Sequence, residues 1–175
     1  MAQKKSDLEK EIEKVCKKLG IPLLEKYETT PGIGNCWYEA ISSLMRLYNI
    51  RNISAKQLRE EVIDNMEQCE NIEVIRENLK AKNMTIEDFK EKHRQEGTFT
   101  DKDGIMAMTT ALYLGITLSI ISSSNNERNP FTVYNKGKPY NFYIFYDERA
   151  PGHFQSMKHP EIKLSLIHIS EPTRP

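Results

Sequence analysis

Residues 31–45 read PGIGNCWYEAISSLM. A Pro-Gly-x-Gly turn runs into Asn35-Cys36, and small or apolar residues then recur at Ala40, Ile41, Leu44 and Leu47. This spacing predicts a helix capped by Asn35, with Cys36 in its first turn. A helix N-terminus carries unpaired N–H groups and about half a positive charge. A thiolate placed there is stabilised, so the expected Cys36 pKa lies below the free value of about 8.5. The same N–H groups can hold an oxyanion as it develops. Gly32 and Gly34 permit backbone angles closed to other residues and let a substrate chain come close. One short stretch thus offers a nucleophile and a sink for negative charge. The competing reading of Cys36 is a glycine turn that precedes a helix for backbone reasons only.

The chain has three cysteines, Cys16, Cys36 and Cys69, with no CxxC spacing. Neither a disulfide framework nor a structural zinc site is expected. Cys16 falls within an apolar helical stripe, and Cys69 has no turn chemistry around it; both read as buried hydrophobes. A thiol nucleophile needs a base, usually histidine. His93, in EKHRQEG, reads as solvated on a charged helical face. His159, beside Pro160, reads as exposed. His153 follows Ala-Pro-Gly and opens HFQSM, a short extended segment, where a tight turn can hold an imidazole in place. An ordinary structural histidine is the other reading of that position.

The elements that must position these residues have clear local signals. Ser6 with Glu9 is a capping box, and Leu8, Ile12, Val15, Cys16 and Leu19 keep helical spacing as far as Gly20. Residues 21–30 read as irregular. Ser54 with Gln57 opens a further helix through AKQLREEVIDNM. Helical spacing returns around Ile72, Val74, Ile75 and Leu79, and around Ile86 and Phe89, in charged segments expected on the outside. A helix with Ile105, Met108, Ala111 and Leu112 on one face ends at Gly115. The strand candidates are ITLSIIS, FTVYN and PYNFYIFY, the last being the strongest through its alternation of aromatic and apolar residues. YDERAPG is a loop. Helices come first and strands later, which predicts a layered α/β or α+β domain.

Composition sets the class. The chain has 175 residues, 38% hydrophobic and 29% charged, as expected of one globular domain. Lys plus Arg and Asp plus Glu number 25 each, so no basic field draws the chain to nucleic acid. No apolar run approaches ~18 residues, and the N-terminus lacks an apolar signal region, so neither a membrane span nor a secretory leader is expected. Cysteine usage points to a reducing, cytoplasmic compartment. The last residues, LSLIHISEPTRP from Leu164 to Pro175, break the preceding pattern. They resemble the translation of a transposase-type sequencing adapter and are read as a non-native tail, which leaves the true C-terminus open. The expected organisation is an N-terminal helical region over 1–21, a catalytic domain over 22–163, and this tail over 164–175.

Ile33-Gly34-Asn35-Cys36-Trp37-Tyr38, DGIMAMTTALYLGITLSIIS and His153-Phe154-Gln155-Ser156-Met157 occur in that order in one domain. Together they resemble the ovarian tumour (OTU) family of cysteine proteases, which are deubiquitinases, over roughly residues 22 to 158. The family pattern is Asp-Gly-Asn-Cys before a helix, a core helix leading into a β-branched strand, and a late His-aromatic pair on a strand. The resemblance implies a small central β-sheet flanked by helices and a papain-like catalytic arrangement. It implies that Cys36 attacks the carbonyl after the ubiquitin C-terminal glycine and that His153 takes the thiol proton and passes it to the leaving lysine amine. Backbone N–H groups of Ile33, Gly34 and Cys36 would hold the oxyanion, and Trp37 and Phe154 would flank the channel for the Gly-Gly tail. Ubiquitin or ubiquitin-like conjugates are the implied partners, to a monomer or to part of a longer protein, with no cofactor, metal, nucleic acid or membrane. Ile33 stands where the family has Asp, and Gln155 stands where it has Asp or Asn. Gln155 lies on the same strand face as His153 and can orient the imidazole through its amide oxygen. Asp147 and Glu148 are weaker candidates for that role. A neutral orienter stabilises imidazolium less than a carboxylate does, so a slower enzyme is expected. The alternatives are a catalytically inactive ubiquitin-binding module of the same fold, or a cysteine hydrolase acting on another modifier.

Overall fold

The computed structural model describes residues 6–27, 35–69, 72–95, 104–122, 131–147 and 153–159. Ile33, Gly34, Glu148 and the 164–175 tail lie outside these residues. The first helix, α1, runs Asp7–Leu19; Ser6 accepts from the Glu9 N–H and Glu9 reaches back, closing the predicted box, and Gly20 ends the helix in the left-handed region. The central helix α2 is Cys36–Leu47, followed by α3, Ala55–Asn65, which opens on the Ser54/Gln57 box. Two short helices, α4 (Ile72–Lys80) and α5 (Ile86–Arg94), lead to α6, Ile105–Leu114, which stops at Gly115. Thr85 and Asp88 form a third box at the start of α5.

The strands are β1 (Glu25–Lys26), β2 (Thr117–Ser122), β3 (Phe131–Tyr134), β4 (Asn141–Asp147) and β5 (His153–Lys158). They form one sheet in the order β1-β5-β4-β2-β3. β2 and β4 run parallel, and the other pairs are antiparallel. The aromatic strand β4 is the centre of this sheet, which explains its apolar residues on both faces. β1 falls within the stretch that reads as irregular; its two residues owe their strand state to pairing with Lys158 and Met157, not to any local pattern.

Alternation along β4 divides the core. Phe142 and Ile144 join the main cluster with α2, α3 and α6, whereas Phe145, with Tyr143 at its edge, joins Ile12, Val15 and Cys16 of α1. Helices therefore cover both faces of a mixed sheet, giving three layers. Leu58, Val62 and Ile63 of α3 and Ile75 and Leu79 of α4 enter the main cluster, so the charged middle helices each bury one apolar stripe. No described helix is long and apolar enough to cross a membrane.

One glycine is fixed by sterics. Gly104 caps α6 at φ 72°, and a Cβ there would collide with the Tyr134 hydroxyl on β3. Gly104→Ala therefore combines a left-handed strain with a clash and should cost about 1–3 kcal/mol. A urea midpoint unchanged from wild type would contradict this packing.

Candidate active site

α2 is buried around most of its circumference: Cys36, Trp37, Tyr38, Ala40, Ile41, Leu44 and Met45 are all enclosed. Its two buried serine hydroxyls are satisfied within the chain, Ser42 donating to the Ile53 carbonyl and Ser43 to that of Ala40. A helix held this way presents its N-terminus at a fixed place. That place is the start of β5. The Cys36 sulfur accepts the Phe154 N–H at 3.5 Å, across 118 positions of sequence. This N–H belongs to the peptide bond that joins His153 to Phe154, so the thiol lies against the backbone of the predicted base.

β5 is aligned by β4: His153 pairs with Asp147, Phe154 with Tyr146, and Gln155 with Phe145. Phe154 stacks on Tyr146 at 4.6 Å and meets Trp37 edge-on at 5.0 Å. Trp37 is fully enclosed, so of the two rings expected to flank a channel only Phe154, half-buried, offers an accessible face. The Gln155 amide donates to the Ser156 carbonyl at 2.9 Å, and its side chain is also hydrogen-bonded to His153. Asp147, a weaker candidate in the sequence, is buried opposite the imidazole and favours its protonation.

The electrostatics differ from expectation in one respect. Burial pushes the Cys36 thiol up from its ordinary value, and this outweighs the lowering by the N–H groups of Phe154, Trp37 and Cys36 itself. The expected depression is thus reversed, because the helix end that stabilises a thiolate is also cut off from water. Burial likewise lowers His153, against the opposing effects of Gln155 and Asp147, with Lys26 adding to the fall. Both shifts favour the neutral forms, thiol and imidazole. The rate of Cys36 alkylation by iodoacetamide, followed by peptide mass spectrometry, should therefore climb from pH 7 to pH 10. A flat plateau from pH 5 to pH 8 would mean a preformed thiolate–imidazolium pair instead.

The remaining candidates separate from the site. Cys16 and Cys69 are buried, free, and raised by burial. His93 is not solvated: it is enclosed against Phe89 at 4.3 Å, and burial with the nearby Lys92 and Arg59 charges lowers its pKa to about 4. α5 turns that face inward, a consequence of its docking on α3 that a charged local sequence conceals. His159 is half-buried with its ring 5.9 Å from Tyr143, so it is not fully exposed either. Asn35 precedes α2 but makes no side-chain capping bond. Its amide oxygen accepts instead from Arg59 at 2.8 Å. A charge-assisted bond displaces a neutral cap worth about 1 kcal/mol. Arg59 itself, absent from the expected site, had one sequence signal: it falls on the inward face of α3 with Leu58, Val62 and Ile63.

No protein-family model matches the chain, and no curated protein does. Solved structures do. The OTU domain of OTUD1 superposes with TM-score 0.57 at 13% identity, covering 87% of this chain and 95% of that one. The viral OTU domain protease from Dera Ghazi Khan virus gives TM-score 0.57 at 16% identity over 77% of this chain and 80% of its own. An OTU deubiquitinase from Wolbachia pipientis wMel, solved bound to ubiquitin, gives TM-score 0.53 at 11% identity over 77% and 93%. The chain therefore has the OTU fold.

Proposed function

We propose that the chain is a thiol-dependent deubiquitinase that hydrolyses isopeptide or peptide bonds after the ubiquitin C-terminus. The observation that carries this reading is the 3.5 Å hydrogen bond from the Phe154 N–H to the Cys36 sulfur, which sets a helix-tip thiol against the His153 backbone. The OTU fold supports deubiquitinase-type chemistry, and one neighbour of that fold was solved with ubiquitin bound. In this mechanism neutral His153 takes the Cys36 proton as the sulfur attacks the scissile carbonyl. First-turn N–H groups of α2, with those of Ile33 and Gly34, hold the oxyanion. His153 then protonates the leaving amine, and water hydrolyses the acyl-enzyme. Gln155 orients the imidazole and Asp147 stabilises its charged form, which assigns to a cross-strand carboxylate part of the work that a carboxylate at position 155 would do.

A ubiquitin probe bearing a C-terminal electrophile tests the reading, with probes built on ubiquitin-like proteins alongside. Preferential labelling by ubiquitin supports it; labelling only by another modifier makes the chain a hydrolase of that modifier. The raised thiol favours one rival, a ubiquitin-binding module without turnover. That rival binds di-ubiquitin and leaves it intact.

A further inference from the structure

Arg59 is 2% exposed, unusual for a guanidinium, and its fork ties α3 to two other helices. From α3, one nitrogen donates to the His93 carbonyl of α5 at 2.8 Å, and another donates to the Asn35 amide oxygen at the tip of α2, also at 2.8 Å. The guanidinium carbon lies 4.4 Å from the centre of the Tyr38 ring, in the first turn of α2. A planar cation bonded along two edges and stacked on its face has no rotational freedom left.

What this fixes is the side chain of Asn35. An asparagine at the N-cap ordinarily accepts from the second or third N–H of its helix. Here those residues are Trp37 and Tyr38, and the Trp37 N–H is among the backbone groups that pull the Cys36 thiol down against burial. A carboxamide free to cap α2 would compete with the sulfur for that donor. We propose that Arg59 is a positioning residue of the thiol site: by holding the Asn35 carboxamide off the tip of α2, it reserves the first-turn N–H groups for the sulfur and for the substrate oxyanion. The role toward the oxyanion rests on the deubiquitinase reading; the role toward the sulfur does not.

The test compares wild type, Arg59→Met, Asn35→Ala and the double variant, with thermal unfolding as a check on the fold. Two quantities are read: the pH profile of Cys36 alkylation by iodoacetamide, and kcat and KM on ubiquitin carrying a C-terminal fluorogenic amide. Arg59→Met should slow alkylation at pH 8 about tenfold, the scale of one lost charge-assisted bond. It should lower kcat per alkylatable Cys36 by a similar factor, with KM within about twofold. In the double variant no carboxamide remains to fall back on the helix, so both losses should shrink to within about threefold of Asn35→Ala alone. Losses that are the same with and without Asn35 overturn the proposal, as does an Arg59→Met variant that melts earlier but keeps the wild-type alkylation profile. If Arg59→Met does not fold, Arg59→Lys replaces it; lysine keeps the charge but not the fork, and the same cancellation by Asn35→Ala is required. Wild type that never turns over the ubiquitin amide defeats the deubiquitinase reading, while the alkylation arm still decides the fate of the clamp.

Discussion

If the chain is a deubiquitinase, Cys36→Ala should remove all labelling by the ubiquitin electrophile and lower hydrolysis of a ubiquitin amide by about four to six orders of magnitude, the usual cost of deleting a covalent nucleophile. The substitution removes one sulfur from a site where the surrounding backbone is held by α2 and by β5, so the fold should survive it. The two other thiols serve as internal controls. Cys16 sits on the buried face of α1 in the second cluster and Cys69 follows α3; both are buried and both are raised by burial. Neither has a backbone donor from the start of β5, so neither should react with the probe. Intact-mass analysis of wild type should show a single adduct, mapped to Cys36 by peptide sequencing. Labelling that persists in the alanine variant would end the assignment of the nucleophile, whatever the fold.

Trp37→Ala has the largest expected effect on stability, about 3–5 kcal/mol, against a typical total of about 5–15. The indole is wholly enclosed and lies one residue after the thiol. Its ring meets Phe154 edge-on at 5.0 Å, so it spaces α2 from β5 at the level of Cys36 and His153. Deleting it leaves a cavity that a helix and a strand, each anchored along its length, cannot collapse to fill. Urea unfolding should show the midpoint falling with the slope retained. Activity per folded molecule should fall as well, because Phe154 carries the N–H that meets the sulfur. A loss below about 1 kcal/mol would mean that the indole is not packed between these two elements.

How far the amino-acid string foretells this molecule depends on the range of the forces involved. The two capping boxes at Ser6/Glu9 and Ser54/Gln57, the stop at Gly115 and the alternation through β4 are all readable, and all rest on contacts within a few residues. So does the position of Cys36 at a helix start. The two-residue β1 has no such signal, since its state comes from β5 far along the chain. His93 misleads for a related reason: five of its neighbours in EKHRQEG are polar or charged, yet the docking of α5 on α3 encloses its ring.

Asn35 marks the boundary most sharply. Local chemistry makes it a helix cap, and no local rule anticipates that Arg59, 24 positions later, would take its amide oxygen. By itself, then, the chain's sequence determined the helices and the longer strands, and the place of Cys36 at a helix start, because hydrogen-bond capping and side-chain periodicity act over one or two turns. Only the tertiary structure decided the order of the strands, the partners of the buried cation and the direction in which Cys36 and His153 are shifted. Those depend on how much water is removed from each group, and that is set by every element packed around it at once.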